Sequence, residues 1–430
     1  MDRFILNKLI EWKSSLNRKP LILQGARQVG KTWIMKEFGK KYFDNYVYFN
    51  FDENNDLKDL FKMNKSASRL IERLSLTAEE KIYPGKTLII FDEIQECFDA
   101  LNSLKYFNEN AKDYCIICAG SLLGTLLAGP KSYPVGQVNK MYIYPLNFEE
   151  FLNATDNNLY MYYKTINKET NIEAIFHLKL KEAYQNYLII GGMPECVNSW
   201  IKYNDPSKIF QIQDELITLY ENDFTKHNSK INSSKLLMVF RNIVPQLAKE
   251  NKKYIYGKVK EGARARDFEE AIEWLVSAGL INRVYQSSVP RYPLKGYDEL
   301  NAFKLYLFDT GLLKHMAGIN NDSIVLEKDF QFKGALTENY ILSQIKSMFD
   351  IEPRYYTFDR YEIDFLVQNK DEIIPIEVKS NVSVNSTSLK KYIEKYQPIK
   401  SIRYSMLNYK EEEKLINIPL YLATKTKELL

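Results

Sequence analysis

Three polar residues near the end of the chain have the types and spacing that metal-dependent cleavage of a phosphodiester uses. Asp364 lies in the apolar stretch "EIDFLVQ", and Glu377 and Lys379 lie two residues apart in the next one, "IIPIEVKS". Side chains two residues apart in a strand project from the same face. Carboxylates placed in this way could bind a divalent metal ion, and a lysine beside them could stabilise developing charge. The same residues could also be the polar side chains of an ordinary hairpin.

The elements around these residues favour one particular arrangement. A helix is predicted at 332–349, with Glu338 early in it, followed by three strands, a further helix and two strand-like segments. This order resembles the restriction-endonuclease-like fold. The resemblance implies that Glu338, Asp364 and Glu377 bind Mg²⁺. It further implies that Lys379 is catalytic, by stabilising charge or activating the attacking water. Folds persist after their chemistry is lost, so cleavage itself stays open.

A second pattern lies near the start of the chain. A short apolar strand at 21–23 leads into "GARQVGKT" and then into a helix. This is G-x-x-x-x-G-K-[ST] in the strand–loop–helix setting that phosphate binding requires. Gly25 and Gly30 let backbone N–H groups wrap the phosphates, and the helix N-terminus adds a positive partial charge. Lys31 is expected to reach the β- and γ-phosphates and the Thr32 hydroxyl to bind Mg²⁺, which predicts a nucleoside triphosphate site.

An acidic pair follows at the distance such a site needs. The apolar strand "TLIIF" ends in Asp92 and Glu93. An aspartate in this position holds Mg²⁺, and the adjacent glutamate can orient or deprotonate the attacking water. The pair therefore predicts hydrolysis rather than binding alone. Further strands predicted at 46–51, 114–119 and 140–144 alternate with helical stretches, and this alternation predicts a parallel sheet covered on both faces.

Composition limits the class of protein. The 430 residues are too many for one compact core, so two to four domains are expected, and a formal charge of +4 gives no global attraction to nucleic acid. Four cysteines in so long a chain argue for a reducing compartment. Cys115 and Cys118 would point to opposite faces of a strand, which predicts core thiols rather than metal ligands. A signal peptide and an apolar run of about 20 residues are both missing, so a cytoplasmic protein without a membrane partner is expected.

Several stretches, in order, resemble a single family. "GARQVGKT", "FDEIQ", "AGSLLGTLL", "YPLNFEEFL" and "GGMPECV" are similar to successive motifs of a large family of bacterial and archaeal ATP-binding proteins. These proteins combine an AAA+ ATPase domain with a C-terminal domain of unknown function, and the resemblance covers essentially the whole chain. It implies ATP and Mg²⁺ as cofactors. The implied nucleotide-site residues are Gly25, Arg27, Gly30, Lys31, Thr32, Asp92, Glu93 and Ser121.

Two positions in this resemblance leave alternatives open. Ser121 follows the predicted strand at 114–119 and either senses the γ-phosphate or caps the helix that begins "LLGTLL". Many relatives carry Gly-Arg before the fifth strand, where this chain has Gly136 and Gln137. Arg27 and Arg241 are the remaining candidates for an arginine finger.

The middle of the chain predicts two helical regions. Residues 145–227 have a mostly helical pattern, interrupted at "GGMPE", and the AAA+ resemblance implies a lid over the nucleotide. Residues 233–288 then give two helices, a turn, a third helix and a strand, which is the order of a winged helix-turn-helix. Basic residues at the start of the third helix favour DNA binding, whereas acidic residues within it would repel phosphates. The basic residues are Lys258, Lys260, Arg264 and Arg266, and the acidic ones are Asp267, Glu269, Glu270 and Glu273.

The sequence as a whole predicts an α/β protein with four parts. They are a P-loop AAA+ parallel sheet (1–150), a helical lid (151–228), a winged-helix-like middle domain (229–325) and an α/β restriction-endonuclease-like C-terminal domain (326–430). The predicted function is Mg²⁺-dependent ATP hydrolysis coupled to a nuclease-like domain that acts on or binds nucleic acid, with DNA as the partner. The alternative is an ATP-driven switch whose nuclease-like domain is inactive and binds a protein partner.

Overall fold

The computed structural model describes residues 1–63, 66–120, 136–226, 232–346, 348–349, 351–380 and 386–430. The chain forms two compact units. The N-terminal unit comprises Asp2–Tyr144 together with Ser277–Leu280, and the C-terminal unit comprises Pro145–Val276 and Ile281–Leu430, with Met1. None of the helices in these described ranges is long and apolar enough to cross a membrane.

The N-terminal unit is built on a five-stranded sheet in which every neighbouring pair is parallel, in the order β2-β3-β4-β1-β5. Its strands are β1 (Leu21–Gln24), β2 (Asn45–Asn50), β3 (Thr87–Asp92), β4 (Cys115–Ala119) and β5 (Asn139–Tyr142). Its described helices are α1 (Ile5–Ser14), α2 (Lys31–Tyr42), α3 (Asn55–Met63), α4 (Ala67–Ala78) and α5 (Phe98–Asn110). The predicted parallel sheet is confirmed, and each predicted strand agrees with an observed one to within two residues at either end.

The central strands of this sheet are apolar because both of their faces are covered. Every residue of β3 and of β4 is buried, as expected for a parallel sheet with helices on both sides. Cys115 and Cys118 are free thiols buried in β4, and burial raises the pKa of both. Cys118 lies with Ile116 in the core on one face of the sheet. The prediction of core thiols is confirmed.

The C-terminal unit begins with helices and continues into a mixed sheet. Its described helices are α6 (Phe148–Thr155), α7 (Asn157–Thr165), α8 (Ala174–Ile190), α9 (Pro194–Tyr203), α10 (Pro206–Lys226), α11 (Ser233–Arg241), α12 (Ile243–Leu247), α13 (Ala265–Ser277), α14 (Thr310–Met316), α15 (Asn321–Val325), α16 (Lys333–Ile345), α17 (Thr387–Tyr396) and α18 (Thr426–Leu429). Its strands are β6 (Ile281–Ser287), β7 (Asp298–Leu307), β8 (Arg354–Phe358), β9 (Tyr361–Asn369), β10 (Glu372–Val378), β11 (Ser401–Ser405), β12 (Lys410–Glu412) and β13 (Leu415–Pro419).

These eight strands form one sheet in the order β12-β13-β11-β10-β9-β8-β6-β7. Strands β8, β9 and β10 are an antiparallel meander, while β10, β11 and β13 run parallel. Strands β6 and β7, predicted to belong to a separate middle domain, extend the same sheet because β6 pairs with β8. The helix–helix–helix–strand order predicted for the middle region is present as α11, α12, α13 and β6. Its assignment as a winged helix, and the domain boundaries, stay predictions.

A buried carboxylate explains the predicted turn at "GGMPE". Asp309 begins α14 as its N-cap and accepts hydrogen bonds from the backbone N–H of Leu312 (2.9 Å) and of Gly192 (2.7 Å). Gly191 has φ +76°, and a Cβ there would overlap the Asp309 carboxylate. A Cβ on Gly192 would overlap the Leu146 carbonyl oxygen. Close approach to Asp309 therefore requires glycine at 191, and close approach to Leu146 requires it at 192. The hydrogen bond from Gly192 to Asp309 links the end of α8 to the start of α14.

We expect Asp309→Ala to destabilise the C-terminal unit. It would leave two buried N–H groups without an acceptor, at about 1–3 kcal/mol each. The matched control is Asp156→Ala, which removes an exposed N-cap acceptor for the Leu159 N–H at about 1 kcal/mol. Chemical denaturation followed by circular dichroism measures both. Equal losses in the two variants would contradict the role given to Asp309.

Candidate functional site

The predicted phosphate loop and acidic pair lie at the same edge of the N-terminal sheet. The loop follows β1, and Asp92 and Glu93 follow β3, with β4 between the two strands. Because the strands are parallel, their carboxyl ends meet at one edge, where ligands of open α/β sheets bind. Ser121, predicted as a γ-phosphate sensor or helix cap, lies outside the described residues.

The loop has the backbone conformation that its glycines were predicted to allow. Gly25 has φ +147° and Gly30, the N-cap of α2, has φ +93°. A Cβ on Gly25 would overlap the carbonyl oxygen of Ile143, so a larger residue there would displace the loop. The Lys31 Nζ atom donates to the carbonyl oxygens of Gly25 (2.9 Å) and Ala26 (2.8 Å). Lys31 thus closes the loop on itself.

Burial dominates the electrostatics of Lys31. The side chain is 7% exposed, and burial lowers its pKa to about 8 despite the opposing charges of Glu93 and Asp92. A phosphate group near this ammonium would favour the charged form. The predicted contact of Lys31 with phosphate would therefore raise its pKa again.

Asp92 is held by three hydrogen bonds. Its Oδ2 atom accepts from the Thr32 hydroxyl (2.6 Å) and from the Tyr48 hydroxyl (3.0 Å). Its Oδ1 atom accepts from the backbone N–H of Glu93 (3.1 Å). The structure thus brings together Thr32 and Asp92, the two residues predicted to bind Mg²⁺, and hydroxyl and carboxylate oxygens suit that ion.

Tyr48 was missed by the sequence reasoning. It lies in β2, next to β3, and its residue type alone carries no signal among 31 tyrosines. Lys36 of α2 places its ammonium 3.6 Å from the centre of the Tyr48 ring. The hydroxyl is thereby fixed on Asp92.

The acidic and basic residues near this site have defined partners or positions. Glu93 has a left-handed backbone (φ +49°) and its Oε2 atom accepts from the Gln95 side chain at 2.6 Å. Arg27 is half-buried in the loop. Arg241, in the C-terminal unit, forms a bidentate pair with Glu221 at 2.6 and 2.7 Å. The arginine-finger roles considered for Arg27 and Arg241 stay predictions.

The second set of predicted residues lies on and just after two neighbouring strands of the C-terminal sheet. Strands β9 and β10 are antiparallel, with Ile376 opposite Phe365 as the last registered pair. Asp364 and Glu377 are the next residues along these strands, where β9 also has a register irregularity against β8. Of the expected convergence, the contact between Glu377 and Lys379 is present, and a shared site with Asp364 stays a prediction.

Two lysines and a tyrosine from the middle of the chain contact Glu338 of α16 and Glu362 of β9. The Lys252 ammonium forms an ion pair with Glu338 Oε1, and the Tyr306 hydroxyl donates to Glu338 Oε2 at 2.9 Å. The Lys304 ammonium, on a completely buried side chain, lies 2.5 Å from Glu362 Oε1. We call Lys252, Lys304, Glu338, Glu362 and Asp364 the acid–lysine cluster.

The remaining carboxylates have short-range partners as well. Asp364 Oδ2 accepts from the backbone N–H of Val378 at 2.7 Å. Glu377 Oε1 pairs with the Lys379 ammonium at 2.9 Å. The Glu377 Oε2 atom is buried and has no hydrogen-bond partner.

The pKa shifts follow from burial and from these charges. Burial and the Glu338 charge raise the pKa of Asp364 to about 8. Burial also acts to raise the pKa of Glu338, but the charges of Lys252 and Lys304 outweigh it and lower that pKa. Burial raises the pKa of Glu362 against the opposing charge of Lys304. The cluster therefore contains a carboxylate that its lysines do not fully neutralise.

In the observed arrangement, the acid–lysine cluster does not form a metal-ion site. Among the residues that the structure describes, no three His, Cys, Asp or Glu side chains are grouped so that they could hold a metal ion. One carboxylate oxygen of Glu338 and one of Glu362 form an ion pair with a lysine ammonium instead. The metal-ligand roles of Glu338, Asp364 and Glu377, and the catalytic role of Lys379, stay predictions.

Three of the four acidic residues of α13 have intramolecular partners. Glu269 and Glu273 both pair with Arg283 of β6, at 2.7 and 2.9 Å, and Asp267 accepts from the Arg264 N–H at 2.8 Å. The four basic residues predicted to face a nucleic acid are all exposed: Lys258, Lys260, Arg264 and Arg266. The charge presented beside α13 is therefore more basic than its sequence alone indicates.

Three family models match successive parts of the chain. Residues 17–152 match an AAA domain, residues 181–323 match one domain of unknown function, and residues 333–421 match another. The first match agrees with the parallel sheet and phosphate loop, and the N-terminal unit has the fold of an AAA-type P-loop ATPase. The resemblance to AAA proteins with a C-terminal domain of unknown function is thus confirmed at this level.

Whole-chain relatives are uncharacterised. The chain is 25% identical to an uncharacterised protein of Methanocaldococcus jannaschii over 95% of this chain and 86% of that protein. It is 23% identical to one of Haemophilus influenzae over 89% of this chain and 87% of that one. Similar solved structures include a Walker-type ATPase of Pyrococcus abyssi (15% identity, TM-score 0.47, 73% of this chain and 95% of that one). They also include the Thermotoga maritima RuvB Holliday junction branch migration motor (13% identity, TM-score 0.31, 66% and 90%).

Proposed function

We propose that the N-terminal unit binds Mg²⁺-ATP and hydrolyses it. The observation that carries this proposal is the 2.6 Å hydrogen bond from Thr32 to Asp92, one residue after the buried Lys31. A phosphate-loop hydroxyl and the carboxylate at the end of a neighbouring strand are the pair that holds Mg²⁺ in P-loop ATPases. The match to an AAA domain supports the same function.

The side chains divide the work of hydrolysis. Backbone N–H groups of the loop would bind the β- and γ-phosphates. The Lys31 ammonium would contact these phosphates instead of the carbonyl oxygens of Gly25 and Ala26. Bound Mg²⁺ would neutralise charge on the phosphates. Asp92, fixed by Tyr48, would keep its orientation when Thr32 turns its hydroxyl oxygen toward the ion. Glu93, next to Asp92, would orient the attacking water and take its proton.

Lys31→Ala should abolish ATP binding, because it removes the ammonium that faces the phosphates. We expect at least about a hundredfold loss of affinity, as for a buried charged contact of about 3 kcal/mol. Titration with a fluorescent ATP analogue measures the affinity. Lys41→Ala, at the exposed end of the same helix, is the control and should bind normally. ATP turnover retained in Lys31→Ala would refute the assignment.

Tyr48→Phe should raise the Mg²⁺ concentration needed for half-maximal ATP turnover. Loss of one hydrogen bond to a carboxylate corresponds to about 1.5 kcal/mol, or roughly tenfold. Tyr46→Phe, two residues earlier in β2, is the control and should leave the Mg²⁺ dependence unchanged. An identical Mg²⁺ dependence in Tyr48→Phe and the unmutated protein would show that the hydroxyl does not position Asp92.

For the C-terminal unit we propose a restriction-endonuclease-like arrangement. Support comes from the order of α16, the antiparallel β8–β9–β10 meander, α17 and the parallel strand β11. Two functions fit it: Mg²⁺-dependent cleavage of nucleic acid, or a switch in which this region binds a partner without cleaving. The ion pair of Lys252 favours the second, since its ammonium group occupies Glu338, a carboxylate that cleavage would need.

The partner of such a switch is either DNA or a protein. The exposed residues Lys258, Lys260, Arg264 and Arg266 support DNA, because clustered basic side chains bind phosphates. The pairing of Glu269 and Glu273 with Arg283 removes part of the repulsion expected from α13.

Incubation with supercoiled plasmid, Mg²⁺ and Mn²⁺ tests the choice between these functions. We expect no cleavage by the unmutated protein, and plasmid retardation that weakens as salt rises if DNA is the partner. The control is the double variant Glu377→Ala, Lys379→Ala. Cleavage by the unmutated protein that this variant loses would establish the nuclease function and overturn the switch.

A further inference from the structure

The acid–lysine cluster has the carboxylates of a metal-ion site, but a lysine ammonium supplies the positive charge. Lys252 brings its ammonium to Glu338 from a segment distant in sequence, and its side chain is only 16% exposed. The charges of Glu338, Asp364 and Glu362 all act on this ammonium and raise the pKa of Lys252 against the effect of burial. The Lys252 ammonium therefore contacts one carboxylate of the cluster and interacts electrostatically with two more.

The backbone at Lys252 supports a dedicated role for this side chain. Lys252 has φ +50°, a left-handed conformation that costs a non-glycine residue about 1 kcal/mol. Such a conformation persists when the surrounding structure imposes it. Its neighbour Lys253 is exposed.

A count of charges indicates what the cluster can accept. If all three acids are ionised, Glu338, Glu362 and Asp364 carry one more charge than the ammonium groups of Lys252 and Lys304 neutralise. Adding a divalent cation while both lysines stay would leave an excess of one positive charge. If the Lys252 ammonium were absent, a divalent cation together with the Lys304 ammonium would balance the charges of the three carboxylates.

We propose that the Lys252 ammonium takes the position of a divalent cation in the acid–lysine cluster, and that the cluster binds such a cation only when this ammonium is absent. The inference rests on the nuclease-like arrangement proposed above. It names Lys252 as the residue that keeps the arrangement free of metal.

Manganese binding to the full-length, nucleotide-free protein tests the proposal. Electron paramagnetic resonance of free Mn²⁺ should show one more bound ion per chain in Lys252→Met than in the unmutated protein. Lys253→Met is the matched control and should bind as the unmutated protein does. Adding Asp364→Asn to Lys252→Met should abolish the extra ion. Equal Mn²⁺ binding by Lys252→Met and the unmutated protein would overturn the proposal.

Thermal unfolding gives a second readout. Lys252→Met should melt at a lower temperature than the unmutated protein, and Mn²⁺ should raise its midpoint but not that of the unmutated protein. If Lys252→Met does not fold, the double variant Lys252→Met, Glu338→Gln should fold, because neither charge is then left unpaired. Failure of that double variant to fold would count against charge compensation.

The result of the Mn²⁺-binding experiment can be told apart from the result of the plasmid-cleavage experiment that tests the proposed switch. Mn²⁺ bound by the unmutated protein and lost in Asp364→Asn would overturn the role of Lys252, whether or not the protein cleaves nucleic acid. Cleavage of plasmid by the unmutated protein would overturn the switch and is read independently of Mn²⁺ stoichiometry.

Discussion

Glu338 is a buried carboxylate, and the free energy of removing its charge from water determines the arrangement of its neighbours. A buried ion requires a partner of opposite charge and hydrogen bonds to its remaining lone pairs. Lys252 supplies the charge and Tyr306 the second hydrogen bond. The position of Glu338 on α16 thereby fixes where β7 and the Lys252 segment lie. Lys304, on the same strand as Tyr306, extends the compensation to Glu362.

In the N-terminal unit, the buried carboxylate of Asp92 has neutral hydrogen-bond donors as partners. Asp92 accepts hydrogen bonds from two hydroxyls and a backbone N–H. Within the part of the chain that the structure describes, none of its hydrogen-bond donors is an ammonium group. Neutral donors can be exchanged for a metal ion more readily than a paired charge can, since no buried ion is left uncompensated. Two carboxylate sites in one chain thus differ in the charge of their nearest partners, although the residue types of both suggest metal binding.

The sequence predicted what depends on short-range pattern. The strands of the N-terminal sheet are apolar runs, and Thr32 and Asp92 could be placed together because parallel strands share one edge. The contact between Glu377 and Lys379 followed from strand periodicity. Glu362 could have been found in the same way, since it lies two residues before Asp364. Lys252 and Lys304 could not, because their partners Glu338 and Glu362 are 86 and 58 residues away and no local pattern records such a pairing. The junction of β6 with β8 was missed for the same reason.

The continuous eight-stranded sheet has a consequence for how this chain can be divided. The segment 333–421, which matches a domain of unknown function, contains Glu338, Glu362 and Asp364 but neither Lys252 nor Lys304. Expressed alone, it would keep every acid of the cluster, lose both compensating cations and expose the edge of β8 that β6 covers. An unpaired strand edge invites association with other chains. The smallest fragment with a neutral interior therefore extends well upstream of the segment that sequence similarity delimits.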